Sequence, residues 1–504
     1  MEQYENERRI QNVLLNDTSQ ELVEGEVILP VGKPEMARIL TVLPRVEAYG
    51  WEVDSGRLTV EGSLTLLVCY LCSDGLPHSF ESTSSYRHTK EIPGAMPGMR
   101  TTPVVLPSHV EYVLEDGRSL RVKATIDFGT PVEDEMPLTA LPFDEVEADT
   151  SAQPLELQFS KTVARMSLTG EIEGNVPVPG GIAPMDRILS CTGYPGIKRT
   201  VFDGETLSIE GEVKLNIVYA TGEETAPIAQ LYTSLDFDEM VAADDMDGEI
   251  LVTAQVKKIY ALLDEMGDSI AISAQYGMEI SCKRKFSFTG IKDAYSALYD
   301  TQLETQGLTL TEKALHKEGN NALRERMEFD DAPAPARILA SVILPSFCRA
   351  YESGGILAIE GVMSCQVAYI SFDGVIQTAI GKIPIRMEEP GIEVDPGMEL
   401  FAQVGAEQVQ AVPAGNEVEV RALLQYQLEG YHRHEVTLVQ DIVALSEEIV
   451  RESGILIYFA QRGDTLWNVA KHYRMDVEAI RAQNPGVEDA LVPGQRLVLV
   501  CRPN

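Results

Sequence analysis

Residues 60–70 read Val60-Glu61-Gly62-Ser63-Leu64-Thr65-Leu66-Leu67-Val68-Cys69-Tyr70, and the pattern returns twice. It comes back as Ile209-Glu210-Gly211-Glu212-Val213-Lys214-Leu215-Asn216-Ile217-Val218-Tyr219, then as Ile359-Glu360-Gly361-Val362-Met363-Ser364-Cys365-Gln366-Val367-Ala368-Tyr369. The three glycines are spaced by 149 and 150 residues, with no gap inside the segment. Every second position is apolar or Gly, the period-2 signature of a strand with one buried face. A Gly at one fixed place in such a strand predicts a bulge or a close backbone approach.

The register extends outward from that strand. Arg38-Ile39-Leu40 recurs as Arg187-Ile188-Leu189 and Arg337-Ile338-Leu339. Downstream, Pro97-Gly98-Met99 matches Pro396-Gly397-Met398, with Met246-Asp247-Gly248 in the middle copy. Three markers on one spacing predict a triplicated β domain, since a period near 150 is a whole domain and not a solenoid unit. Each copy closes on a hairpin: Val110–Leu114 with Leu120–Phe128, Val256–Leu263 with Ile270–Ile280, and Val404–Val412 with Val418–Leu428. The Asp116-Gly117 turn of the first is a strong hairpin signal.

The chain of 504 residues has room for several cores, and its net charge is −37. Such acidity speaks against nucleic-acid binding and against docking on anionic lipid. The start, Met1 to Glu7, is acidic and polar, and no run of apolar residues is long enough for a transmembrane segment. The seven scattered cysteines are not a disulfide framework and fit a reducing compartment. Cys69 and Cys72 would point to opposite faces if the strand continues, which speaks against zinc.

The expected division is three β-sandwich or open-barrel-like repeats at 1–157, 158–328 and 329–452, then a small α+β unit at 453–504. Pro131 to Leu155 reads as a connector. Lys292 to Arg326 reads as a partly helical interdomain segment, with Leu298, Leu303, Leu315 and Leu323 among Gln, Glu and Lys. In the tail, Ile455–Ala460 is a strand. Asp464 or Thr465 can cap a helix presenting Leu466, Val469, Ala470 and Tyr473, and Asp476 a second helix. Arg496–Val500 is the last strand. Residues 453–504 carry a net +1, leaving −38 on the rest.

The tail resembles a LysM domain through Tyr458, Gly463-Asp464-Thr465-Leu466-Trp467, Val469-Ala470, Tyr473, Ile480, Asn484-Pro485 and Val492-Pro493-Gly494-Gln495. That resemblance implies a shallow groove for N-acetylglucosamine-containing glycans. Carried onto this chain, the groove is formed by Gly463, Asp464, Thr465 and Leu466 on one loop and Asn484, Pro485, Val492 and Pro493 on the other. These residues also have a plain structural reading, in which Asp464 caps a helix while Leu466 and Trp467 fill a very small core.

The triplicated part resembles the SPOCS domain of spore-coat-associated proteins, through the Arg-Ile-Leu segments, the Glu-Gly strands ending in Tyr, and Asp293-Ala294-Tyr295-Ser296. Repeated SPOCS domains with one terminal LysM resemble SipL-type spore morphogenetic proteins. The resemblance implies a mother-cell protein at the forespore surface that partners a self-assembling coat ATPase of the SpoIVA type. The alternative is a peptidoglycan-binding protein of the cell wall or spore envelope, or a LysM-targeted wall hydrolase.

An enzyme is not indicated. The seven histidines lie in no catalytic signature, and no phosphate-binding Gly-rich loop is present. His432 and His434 would share a strand face, without a third metal ligand. No cofactor is implied. The reading is a non-enzymatic, multivalent scaffold whose LysM recognises a coat protein, peptidoglycan or both.

Overall fold

The computed structural model describes residues 9–15, 18–328, 332–391, 394, 397–445, 449 and 453–501. Met1 to Glu7 and Pro396 lie outside the described residues. The described residues are almost entirely antiparallel β, with two α-helices among them, both in the tail.

Two of the repeated strands, Arg57–Cys72 and Thr206–Ala220, are each the middle strand of a three-stranded sheet, and the third, Ile356–Ser371, pairs with Pro335–Ile343, Ser346–Ser353 and Ile376–Pro390 within a seven-stranded sheet. In the first copy Met36–Asp54 and Pro77–Glu91 flank it, and in the second Arg187–Phe202 and Ile228–Ala242. A second layer is built around each closing strand: Ser119–Gly129, Ser269–Ser296 and Glu417–Ala444. There the copy's opening strand (Thr18–Ile28, Thr150–Pro177 or Thr301–Glu328) pairs with its closing strand. The alternating apolar faces of the two sheets meet. In the first copy Val60, Leu64, Val68 and Tyr70 pack with Val110, Leu120, Val122 and Ile126. This is a two-layer sandwich. In the third copy Ser346–Ser353 also pairs with Glu399–Ala414, which joins the two layers along one edge.

The recurring residues have physical causes. Tyr70, Tyr219 and Tyr369 are buried, and each donates its hydroxyl to the carbonyl of a residue 36 positions upstream: Pro34, Ala183 and Pro333. Gly62 pairs across the sheet with Tyr86, and Gly211 with Phe237, and in both cases the aromatic ring lies where a Cβ would be. The facing strands bulge beside these glycines, between Ala48 and Gly50 and between Ile197 and Arg199. The leucines of the Arg-Ile-Leu segments, Leu40, Leu189 and Leu339, meet in one cluster with Cys69, Val218 and Ala368. The three copies therefore share a central core with a threefold pattern. Cys69 belongs to this core and Cys72 to the first sandwich, on opposite faces of their strand.

Polar ties run between copies. Arg38 donates to the Ile376 carbonyl, and Arg187 to that of Pro77 at 2.6 Å. Gln366, fully buried, brackets Val42: its amide donates to the Val42 carbonyl at 2.9 Å and accepts from the Val42 N–H at 3.3 Å. Gln230 holds Ser341 in the same two-sided way, at 3.0 Å for each bond.

Two expectations are corrected. Lys292 to Arg326 holds no helix: Ser269–Ser296 runs through its start, and Thr301–Glu328 is one strand of 28 residues. That strand is paired along its length with Glu417–Ala444, in the sheet of the third copy. Its Glu, Lys and Gln favour helix in isolation, but propensity yields to a ladder that buries Leu308, Leu310, Leu323 and Met327. Gly319 sits under the ring of its cross-strand partner Tyr426, a strand role and not a helix break. The connector at Pro131 to Leu155 is also largely structured. Val132–Pro137 pairs with Arg9–Leu15, and Thr150 already begins the long strand of the second copy.

The long strand pairs of the second and third copies pack together through Leu157, Phe159, Leu308, Leu310 and Leu438, with Ile10 and Leu138 of the first copy in the same cluster. A 28-residue strand can reach roughly 90 Å at about 3.3 Å per residue. The second copy's pair ends at Asp293 to Ser296, and there the C-terminal unit is held.

Candidate binding groove

The C-terminal unit consists of Gly454–Phe459, a helix Leu466–Tyr473, a helix Val477–Gln483, and Arg496–Cys501 paired back on the first strand. Thr465 caps the first helix by accepting from the Asn468 N–H at 3.1 Å, and Asp476 caps the second from Glu478 at 2.8 Å. Arg474, at φ 51°, ends the first helix. Leu466, Val469, Ala470, Ile480, Leu497 and Leu499 form the small core.

The two loops chosen from sequence do meet. The Leu466 N–H donates to the Asp489 carbonyl at 2.8 Å, and the Leu491 N–H to that of Asp464 at 3.1 Å. Gly463 and Gly494 take left-handed backbone, at φ 93° and 85°. The Asp464 carboxylate accepts from the Tyr458 hydroxyl at 2.5 Å and from the Gln461 N–H at 2.7 Å. The Tyr458 hydrogen bond, with the Gln461 amide, holds Asp464 below the usual carboxylate range. The same carboxylate pushes the Tyr458 phenol up to about 12.

The eight sequence-chosen residues divide by burial. Gly463, Pro485, Val492 and Pro493 are exposed on the rims. Asp464 and Thr465 are half-buried and spend their side-chain oxygens on the loop and the cap. Leu466 is fully buried, so it offers a groove only its backbone. Asn484 is committed internally: its amide donates to the Ile480 and Val498 carbonyls at 2.9 and 2.8 Å and accepts from the Val498 N–H at 2.7 Å. The exposed remainder of the eight is small, apolar and uncharged.

Sequence reasoning missed a second face. Trp467 donates its indole N–H to Asp293 at 2.8 Å, and Lys471 pairs with the same carboxylate. Tyr295 stacks edge-on against Trp467 at 5.1 Å and donates to the Met475 carbonyl at 2.7 Å, while Arg474 pairs with Asp300. Trp467 thus joins the tail to the sandwiches as well as filling a core. No local signal marks this, because Asp293 and Trp467 are 174 residues apart. The docked face lies on the first helix and leaves the loop rims open.

Elsewhere, His432 and His434 stand on one strand face with ring centroids 5.6 Å apart. Among the described residues no group of three or more His, Cys, Asp or Glu is placed to hold a metal ion. No described helix is long and apolar enough to cross a membrane. Cys69, Cys191, Cys348 and Cys365 are buried thiols, with burial pushing Cys69 up to about 11 and the other three up to about 12.

Residues 458–500 match the family model of the LysM domain, and residues 35–115 match that of the SipL SPOCS domain. No curated protein and no solved structure matches the chain.

Proposed function

We propose that a chain carrying a SPOCS domain and a LysM domain in this arrangement is a non-enzymatic scaffold of spore-coat or spore-envelope assembly. Both matched domains are binding modules, and the SPOCS match points to sporulation. The observation that carries the reading is the division of labour on the LysM unit. One face is locked to the sandwiches through Trp467, Lys471 and Met475, while the rims at Gly463, Pro485, Val492 and Pro493 face solvent. A recognition loop held on a rigid body fits a multivalent adaptor, in which weak contacts combine by avidity.

In this reading the LysM groove recognises a coat protein, N-acetylglucosamine-containing glycan or both, and all three sandwiches act as SPOCS domains. The implied partner is a coat ATPase of the SpoIVA type, in the mother cell at the forespore surface. The buried thiols and the acidic body support that placement.

The test is titration of the full chain with N-acetylglucosamine oligomers, peptidoglycan and the purified ATPase, beside a chain lacking residues 453–504. Binding to the ATPase that disappears with the tail, and weakens in Val492→Asp, supports the adaptor. Saturable binding to glycan alone supports the wall or envelope protein instead. Binding to neither overturns a recognition role for the groove.

A further inference from the structure

The LysM sheet has two strands and therefore two edges, and the chain treats them differently. The edge of Arg496–Cys501 is closed by side-chain amides. Asn484 brackets the backbone of Val498, and Gln483 brackets that of Val500, accepting from its N–H at 2.7 Å. The edge of Gly454–Phe459 has no partner strand among the described residues. On one face of that open strand stand Ile455, Ile457 and Phe459, exposed by 75, 53 and 59%. They lie opposite Val500, Val498 and Arg496. An open strand edge beside an apolar face is a template for a further strand.

Three other edge strands carry the charges that block such pairing. Thr18–Ile28 has Glu21, Glu24 and Glu26; Ile228–Ala242 has Asp236, Asp238 and Glu239; Ile376–Pro390 has Lys382, Arg386, Glu388 and Glu389. Gly454–Phe459 has no charge, no proline and no bulge. The tail around it also carries a net +1, against −38 on the rest of the chain. Two copies can pair at this strand without setting a charged side chain of one against its like on the other.

We propose that Gly454–Phe459 is a self-association edge, at which a second copy of this chain pairs antiparallel and extends the LysM sheet from two strands to four. Pairing centred on Ile457 merges the apolar stripes of the two copies into one face, in an isologous interface. The contact is one short strand per copy, so the dimer is weak alone and gains strength where copies are already concentrated. The groove rims and the face docked on Asp293 and Tyr295 are not used.

The test is sedimentation equilibrium of the full chain over a range of concentrations, at low and at high salt. The expected result is a reversible monomer–dimer equilibrium that tightens with salt, as screening relieves repulsion between the acidic bodies. Ile457→Lys and, separately, Ile455→Lys weaken the dimer tenfold or more, while Val31→Lys, at a 99% exposed site on the first sandwich, does not. Trp467 fluorescence and far-ultraviolet circular dichroism report whether each variant keeps its fold, and only folded variants are compared. A mass of 55.4 kDa at every concentration and salt overturns the proposal. So does a dimer that neither lysine substitution weakens.

Discussion

Tyr295 ends the closing strand of the second sandwich, yet it is 3% exposed because it lies in the core of the LysM unit, donating its hydroxyl to the Met475 carbonyl at 2.7 Å. The tail is thereby joined to the rest of the molecule by packing as well as by the chain. Deleting residues 453–504 uncovers Tyr295 but removes nothing from the three sandwich cores. The truncated chain is expected to unfold in one cooperative β transition, followed by circular dichroism against denaturant. Loss of that transition would show that the tail is part of the body's core.

Asp293→Ala tests the dock without truncation. It removes the acceptor of the Trp467 indole and the partner of Lys471, at a cost of about 1–3 kcal/mol. The expected outcome is a LysM unit that moves freely on an intact body. The Trp467 indole N–H then exchanges faster with solvent, read by nuclear magnetic resonance, with the melting temperature of the sandwiches unchanged. An unchanged rate would place the dock's strength in Tyr295 and in the Arg474–Asp300 pair.

Gly62→Ala places a methyl where the Tyr86 ring lies and close to the Glu47 carbonyl. Overpacking of this kind costs about 1–3 kcal/mol. Gly25→Ala, where a Cβ meets open space, is neutral or stabilises by up to about 1 kcal/mol. The denaturant midpoint of Gly62→Ala is expected to fall, while that of Gly25→Ala holds or rises. A similar, small change in both would remove the packing account of the recurring glycine.

Gln366→Ala leaves both the N–H and the carbonyl of Val42 without their buried partner. Each orphaned group costs about 1–3 kcal/mol, so a loss of about 2 kcal/mol or more is expected in equilibrium unfolding. The loss belongs to the junction between the first and third copies, and hydrogen exchange at Val42 reads it directly.

The groove loop carries its own pH limits. Asp464 is lowered from 3.8 by the Tyr458 hydroxyl first and the Gln461 N–H second, so its stabilisation is present above pH 3.8 and is lost as the pH falls through the lowered value. Tyr458 is raised from 10.0 to about 12, so its contribution is present below pH 10 and is lost as the pH rises towards 12. Nuclear magnetic resonance titration of the two side chains checks both limbs. Asp464→Asn is expected to abolish the acid limb and return Tyr458 towards 10.

The period-2 run ending in Tyr70 was enough to read a β architecture, because alternation specifies a half-buried strand whatever its neighbours. The βααβ order of the tail was legible for a similar reason, from Thr465 and Asp476 as caps and from helical spacing of Leu466, Val469 and Ala470. Thr301–Glu328 was not legible. Its outward residues favour helix, and what makes it a strand is a ladder to residues 417–444, from 89 positions away at Glu328 and Glu417 to 143 at Thr301 and Ala444. The groove residues were legible as a loop pair, and Leu466 as a core position from its helical spacing. Asn484 sits beside the exposed Pro485, and only the folded unit shows that its side chain points inward.

By itself, the sequence determined the repeated strands, the turns between them and the small C-terminal unit. Those are local properties, set by side-chain alternation, by glycine and by caps within a few residues. Tertiary structure alone decided how the three copies share a core at Leu40, Leu189 and Leu339, and that Asp293 holds Trp467. It also decided which LysM edge is closed by Asn484 and which stands open. These depend on which surfaces meet once water has been expelled, and residues far apart in the chain carry no mark of that meeting in their own neighbourhoods.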